Sequence, residues 1–325
     1  MSIQKRDTVA DWKAFQPERI PTKGGSLDKM PTIFLEALEQ LEGKKREAVT
    51  AASINSNINS NINVQRESEK ETLPLPKDSY LSILELGCGC GELSSSLQLR
   101  GHTVHGIDVN EGAVEKAKAL DAKKLHIQQQ RRVDRATERE NSDSCVHDFG
   151  SELGNATFEV ADIATRTESS SSSFSSTSFE HYKMYDFCIL QLLLSVVGGH
   201  GRRKKVLENA FDSLKGGGAI YLSCSGVSDS INPNYKALYE QDASELFEEH
   251  GEHSYFSRSS SKTENKNDAT QILYITHHFT KGELESLLSD AGFGTIHIEQ
   301  RKETSSRRPN EQAYFLYATA VATTR

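Results

Sequence analysis

The run from Leu81 to Gly91, LSILELGCGCG, constrains this chain more than any other stretch. Its first half is short, apolar and bounded by glycines, which predicts a fully buried strand. Gly87, Gly89 and Gly91 then alternate with other residues. Glycines in that position let the backbone take positive φ and come close to a ligand. Residues 92–100 follow with Leu93 and Leu97 on one face, which predicts a helix whose N-terminus favours polar or anionic groups. Strand, glycine loop and helix in this order open a doubly wound α/β sheet. The dinucleotide fingerprint G-x-G-x-x-G fails in either frame, because Glu92 or Ser94 takes the third glycine's place.

The pattern continues along the chain. HTVHGIDV (102–109) reads as a second strand, and Asn110 can cap the helix that carries Val114 and Ala117. TFEVADI (157–163) is a third strand. YDFCILQLLL (185–194) is the most apolar run and reads as a central parallel strand. Val206, Leu207, Ala210, Phe211 and Leu214 mark a helix that Gly216, Gly217 and Gly218 end, and AIYLSCS (219–225) is a fifth strand. Thr280 and Glu283 form a capping box, Phe279 and Leu284 a hydrophobic staple, and Gly292 stops that helix. TIHIEQ and QAYFLYATA close the chain as a terminal antiparallel pair. The expectation is a mostly parallel seven-stranded sheet with an N-terminal helix and an inserted lid.

The segments between these elements divide the chain. Residues 1–42 read as an N-terminal segment and lid helix, with Phe34, Leu35, Leu38 and Leu41 on one face of a helix over 31–42. Residues 43–75, with their INSNINSNIN repeat, read as a flexible linker. The main domain is then 76–325, with polar insertions near 128–155 and 166–182, the second largely serine. A lid segment at 226–270 reads as irregular, with scattered aromatics and histidines. Residues 304–308 read as a hairpin loop.

Composition narrows the function. The net charge is −8, and no basic stripe for nucleic acid is present. The one basic run, Arg202-Arg203-Lys204-Lys205, reads as a solvated helix start, with an anionic-substrate contact as the sharper alternative. The 5 cysteines have no framework or metal spacing, so no metal site is expected. No secretory signal and no membrane helix are visible. The expected setting is cytoplasmic, with no nucleic-acid or membrane partner, and the oligomeric state is open.

Two further acids stand where a ligand's polar groups belong. Asp108 ends the second strand and can accept from both hydroxyls of a ribose. Asp162, followed by Ile163, can accept from an adenine amino group while Ile163 covers the ring. Glu85-Leu-Gly-Cys-Gly-Cys-Gly91, Asp108, the ADIA at 161–164, and YDFCILQ followed by a helix and LKGGG together resemble class I S-adenosylmethionine-dependent methyltransferases, from about residue 80 to 225, with the last helix and two strands fitting the family's ending. The resemblance implies the Rossmann-like methyltransferase fold and S-adenosylmethionine as cofactor. It implies that Gly87, Cys88, Gly89 and Gly91 line the methionine part and that Glu85 reaches the amino group. It also implies that Asp108 holds the ribose with Val109 beside the adenine, that Asp162 and Ile163 read the adenine, and that Gln191 faces cofactor and substrate. The Asn-Pro-Pro-aromatic motif is missing, which weighs against amino methylation of DNA bases or protein glutamine.

The expected reaction is in-line methyl transfer to sulfur, oxygen or nitrogen of a small-molecule acceptor. Phe34, Tyr235, Tyr239 and Tyr255 are the candidate acceptor-binding residues. His200 and His277, with His278, are candidate bases, needed only where the acceptor must lose a proton. A nicotinamide-dependent oxidoreductase on a similar fold, and a non-catalytic S-adenosylmethionine-binding or scaffold protein, stand as alternatives.

Overall fold

The computed structural model describes residues 12–13, 27–58, 79–140, 154–165, 183–258, 272–305, 308 and 310–323. Most of the N-terminal segment, the 59–75 part of the expected linker, the 141–153 part of the first insertion, the insertion at 166–182 and the 259–270 part of the lid segment lie outside these residues.

Nine strands are described: β1 (Ser82–Leu86), β2 (Thr103–Asp108), β3 (Ala156–Val160), β4 (Tyr185–Gln191), β5 (Leu214–Gly226), β6 (Ser254–Arg258), β7 (Ile272–His277), β8 (Phe293–Thr304) and β9 (Gln312–Ala322). Seven form one sheet in the order β3-β2-β1-β4-β5-β9-β8. The first five pair in parallel, and β9 runs antiparallel between β5 and β8. This is the mostly parallel seven-stranded Rossmann-like arrangement expected.

The helices are α1 (Thr32–Ile58), α2 (Glu92–Leu99), α3 (Glu111–Glu140), α4 (His200–Ser213), α5 (Pro233–His250) and α6 (Lys281–Ala291). They leave the central strands buried on both faces, as parallel strands require. On one face, Leu84, Leu86, Cys188, Leu190 and Leu222 pack against α4 and α6 through Val206, Leu207, Leu284 and Leu288. On the other, Ile83, Phe187, Ile189 and Tyr221 pack against α1 and α2 through Phe34, Leu38, Leu93 and Leu97. Alternate residues of β1 and β4 thus serve opposite cores, which is why these strands read as unbroken apolar runs.

Four features differ from the expectation. Helix α1 continues past 42 to Ile58. Its apolar face ends at Leu41, but Lys, Arg, Glu and Ala sustain a helix by propensity, and Lys45 ties it to the sheet by donating to Asp186 at 2.7 Å. Helix α3 likewise runs to Glu140, into the first expected insertion. The lid segment is not irregular. Asn232 caps α5 by accepting from the backbone N–H of Asn234, with Pro233 in the first turn. Beyond Gly251, β6 pairs antiparallel with β7. Gly216–Gly218 lie within the start of β5, where its register with β4 shifts, so the helix ends before them.

One polar cluster fixes α1 against the sheet. Glu42, almost fully buried, accepts from Arg100 at 2.8 Å and meets His102 Nε2 at 3.0 Å. These partners hold its carboxyl below the usual range against the opposing effect of burial.

Phe34 belongs to this core and is 0% exposed. Its ring meets Phe187 at 5.7 Å and the edge of Tyr221 at 4.9 Å. Phe34→Ala is expected to cost about 3–5 kcal/mol of stability, read from denaturant midpoints. A cost below about 1 kcal/mol would show that Phe34 does not anchor α1.

Candidate active site

The glycine loop is folded back onto β2. The N–H groups of Gly87 and Cys88 both donate to the Ile107 carbonyl, at 2.7 and 3.1 Å, and the Gly89 N–H donates to Asp108 Oδ2 at 2.9 Å. Gly87, Gly89 and Gly91 have φ of 75°, 52° and 74°. At Gly91, a Cβ would sit 2.7 Å from Ala117 Cβ and 2.9 Å from Phe158. Positive φ and close approach both demand glycine there.

Two carboxylates flank this loop. Glu85 is 3% exposed and accepts from the Ser94 hydroxyl. Burial raises its pKa to about 7, with the Asp108 charge adding to the shift and hydrogen bonds from Ser94 and Gln191 opposing it. Asp108 accepts from Gly89 through Oδ2 and from the Asn110 N–H through Oδ1, at 2.9 Å. Burial also raises its pKa. Asn110 accepts from Ala113 N–H at the start of α3 and donates to the Trp12 carbonyl at 2.8 Å. Cys88, buried beside both acids, has its thiol pushed well above the usual range, so it stays protonated and inert as a nucleophile.

Asp162 lies just past β3. Arg202 Nη2 donates to both of its oxygens at 3.0 Å, and Ala164 N–H donates to Oδ1 at 3.1 Å. Ile163 is buried, and its carbonyl accepts from Asn209 at 2.8 Å. The basic run is therefore not a simple solvated helix start. Arg202 pairs with Asp162. Arg203 is fully buried, donating to the carbonyls of Val197 at 3.1 Å and His250 at 2.9 Å.

Gln191 ends β4 and joins the loop to a cavity. The cavity measures about 180 Å³. Gln191 and Leu192 close one side, Tyr221 and Ser223 of β5 and Phe315 and Tyr317 of β9 form the sheet wall, Arg301 and Glu303 come from β8, and Lys29, Met30 and Pro31 precede α1. The Tyr317 hydroxyl donates to Glu303 at 2.8 Å. Sequence reasoning missed Arg301 and Glu303. Their only local signal is the period-two alternation of Glu299, Arg301 and Glu303 on one face of β8.

Residues 60–298 match a family model described as a methyltransferase domain. The chain belongs to the class I S-adenosylmethionine-dependent methyltransferases. A solved S-adenosylmethionine-dependent methyltransferase of Methanosarcina mazei is 21% identical, with 76% of this chain and 94% of that chain covered and a TM-score of 0.53, and it shares the fold. The magnesium protoporphyrin IX methyltransferase of Synechocystis PCC 6803 is 14% identical, with 98% and 100% covered and a TM-score of 0.44. The 1,6-didemethyltoxoflavin-N1-methyltransferase of Burkholderia thailandensis is 14% identical, with 75% and 72% covered and a TM-score of 0.43. No curated protein matches the chain.

The acids suit the cofactor of this family. Two buried carboxylates raise each other's charging cost, and each is relieved by a hydrogen-bond donor or a cation. S-adenosylmethionine carries donors of that kind, an amino group and ribose hydroxyls. A pyrophosphate in the same place would meet like charge.

The methyltransferase's other sequence-derived candidates lie apart from the cavity lining. Phe34 is a core residue, not a cavity wall. Tyr235, Tyr239 and Tyr255 are buried around His278, which meets the Tyr239 hydroxyl at 2.7 Å and the Tyr255 hydroxyl at 3.4 Å. His277 is 1% exposed and held between Ser254 Oγ at 2.8 Å and Glu283 at 2.9 Å. Burial lowers the His277 pKa to about 4 and the His278 pKa to about 3, so both rings stay neutral. His200 is exposed at the first residue of α4. No histidine lines the cavity.

Gly91→Ala combines positive φ with two close contacts. It is expected to lower stability by about 2–4 kcal/mol, measured by denaturant unfolding. An unchanged midpoint would contradict the loop packing described.

Proposed function

We propose that this methyltransferase transfers the methyl group of S-adenosylmethionine to a small-molecule acceptor held in the cavity beside Gln191. The observation that carries this reading is the junction itself: Gln191, which acts on the Glu85 carboxyl at the glycine loop, also lines a cavity of about 180 Å³. A cavity of this size at the end of the sheet suits a small acceptor.

S-adenosylmethionine supplies, when bound, a methyl group already activated on a sulfonium. Gly87, Cys88, Gly89 and Gly91 would line its methionine part, Glu85 would take the amino group, and Asp108 the ribose hydroxyls, with Val109 beside the adenine. Asp162 and Ile163 would meet the adenine, the carboxylate of Asp162 being fixed by Arg202. The chain's remaining work is positional. Gln191 orients the acceptor's nucleophile, while Met30, Pro31, Leu192 and Phe315 exclude water. Holding the partners in line accounts for several kcal/mol of the barrier.

The nicotinamide alternative is disfavoured by the acids around the loop and by its glycine spacing. In this reading the protein works in the cytoplasm without a nucleic-acid partner, since a net charge of −8 opposes a phosphate backbone. Among the described residues no helix is long and apolar enough to cross a membrane.

Calorimetry with S-adenosylmethionine is the direct test; no binding of it or of its demethylated product would reject the reading. Asp108→Ala is expected to weaken binding by about 1–3 kcal/mol, or roughly 5- to 150-fold. Unchanged affinity would remove Asp108 from the site.

The Glu85 pKa of about 7 gives binding a defined pH dependence. Below that pH the free site carries protonated Glu85. A cofactor ammonium favours the carboxylate, so binding there must expel the proton. Affinity is therefore expected to fall as pH drops from 7 towards 5.5, by at most about tenfold per unit, with proton release seen in buffers of different ionisation enthalpy. Glu85→Gln should flatten the profile; a profile unchanged by that substitution would show that Glu85 does not titrate on binding.

A further inference from the structure

We propose that Trp12 belongs to the cofactor site, where it covers the nucleoside end of S-adenosylmethionine and slows its release. This rests on the assignment of Asp108 to the ribose hydroxyls.

Three distant parts of the chain meet at Trp12. Its carbonyl accepts from Asn110 Nδ2 at 2.8 Å. Its ring lies 4.9 Å from the ring of Tyr274 on β7, tilted by 43°. Asn110 and Tyr274 are both buried, and Trp12 is half-buried. One contact is polar and directional, the other broad and apolar. Backbone and side chain of Trp12 are therefore each held by a different partner.

Asn110 ties Trp12 to the ribose acid. The Asn110 N–H donates to Asp108 Oδ1 at 2.9 Å, and the Asn110 side-chain oxygen accepts from the Ala113 N–H at 2.9 Å. Capping α3 in this way fixes which end of the amide is oxygen, and the amide nitrogen is then the end that meets Trp12. A single buried asparagine thus bonds the Asp108 carboxylate through its backbone and Trp12 through its side chain.

The sheet order shows what stands between the two partners of Trp12. Asn110 follows β2. Tyr274 belongs to β7, which is rooted beyond β4 and β5: the His277 N–H donates to the Ser195 carbonyl and the Phe279 N–H to the Ser225 carbonyl, both at 2.8 Å. Between β2 and β4 lies β1, whose end carries the glycine loop. Trp12 therefore links the Asp108 side of that loop to the β6–β7 pair anchored on its other side. An indole there offers a large, rigid apolar surface to a planar group. It also excludes water, which strengthens hydrogen bonds to the ribose acid. Contacts of this kind act mainly on the rate at which a ligand leaves.

Trp12 is the chain's single tryptophan, so its fluorescence gives the test. Its emission and its quenching by acrylamide are read while the full chain is titrated with S-adenosylhomocysteine, with affinity measured in parallel by calorimetry. The emission is expected to change with the calorimetric midpoint, and quenching to fall at saturation. Release of radiolabelled S-adenosylmethionine is then timed in a chase with unlabelled S-adenosylhomocysteine. Trp12→Ala is expected to speed release by about tenfold or more. Trp12→Phe keeps a ring against Tyr274 and should stay within about threefold of the parent. Emission and quenching that do not change at saturation, or a Trp12→Ala release rate within about twofold of the parent, overturns the proposal. The fluorescence titration needs no variant, so it decides the matter even where Trp12→Ala fails to fold. Failure of S-adenosylhomocysteine to bind by calorimetry is a separate result, and it removes the cofactor-site assignment on which the proposal stands.

Discussion

The burial of two carboxylates at the ends of adjacent strands organises the rest of this site. Glu85 closes a strand packed on both faces, so its charge is costly, and Asp108 lies close enough to raise that cost. The structure answers with fixed donors: the Ser94 hydroxyl, Gln191, and the backbone N–H groups of Gly89 and Asn110. The loop's positive-φ glycines follow from the same requirement. Only a tight backbone can turn its N–H groups onto both Ile107 and Asp108. The loop is thereby shaped by the acids it holds in place, each of them only partly compensated.

Much of the framework is local chemistry and could be read from the chain. The apolar runs at β1 and β4 need no context, because burial on both faces leaves no alternation to decode. The Thr280 cap forms as its capping box implies, Thr280 accepting from Glu283 N–H. The Glu85, Asp108 and Gln191 positions follow from strand ends. The misses are contacts between distant residues. Nothing local in Glu42 announces that Arg100 and His102 will bury it, and nothing in Arg202 names Asp162 as its partner. Lys45 reaching Asp186 likewise extends α1 for a reason outside its own sequence. The lid segment hid a readable signal, Asn232-Pro233 before a helix, beneath the polar residues around it.

The aromatic residues of the lid show the same limit in another form. A tyrosine at a suggestive place in the sequence can face either a ligand or its own scaffold. Tyr235, Tyr239 and Tyr255 close around neutral His278, with the Tyr239 and Tyr255 hydroxyls meeting its two ring nitrogens. The tips of Tyr239 and Tyr255 serve an internal hydrogen-bond cluster that joins α5 to β6. The aromatics that line the cavity instead come from β5 and β9, where strand alternation rather than residue type decides which way they point.

The antiparallel insertion of β9 between β5 and β8 has a consequence for how such a protein can change. Because β9 reverses direction, the end of β8 returns to the edge where the parallel strands finish, and the last hairpin delivers its side chains beside Gln191. The glycine loop and its flanking acids are thus encoded in the first half of the chain, and the outer wall of the cavity in its final thirty or so positions. The two stretches share the sheet but no loop. Substitutions on the outer hairpin can therefore reshape this cavity wall while the glycine loop stays intact, a modularity written into strand direction alone.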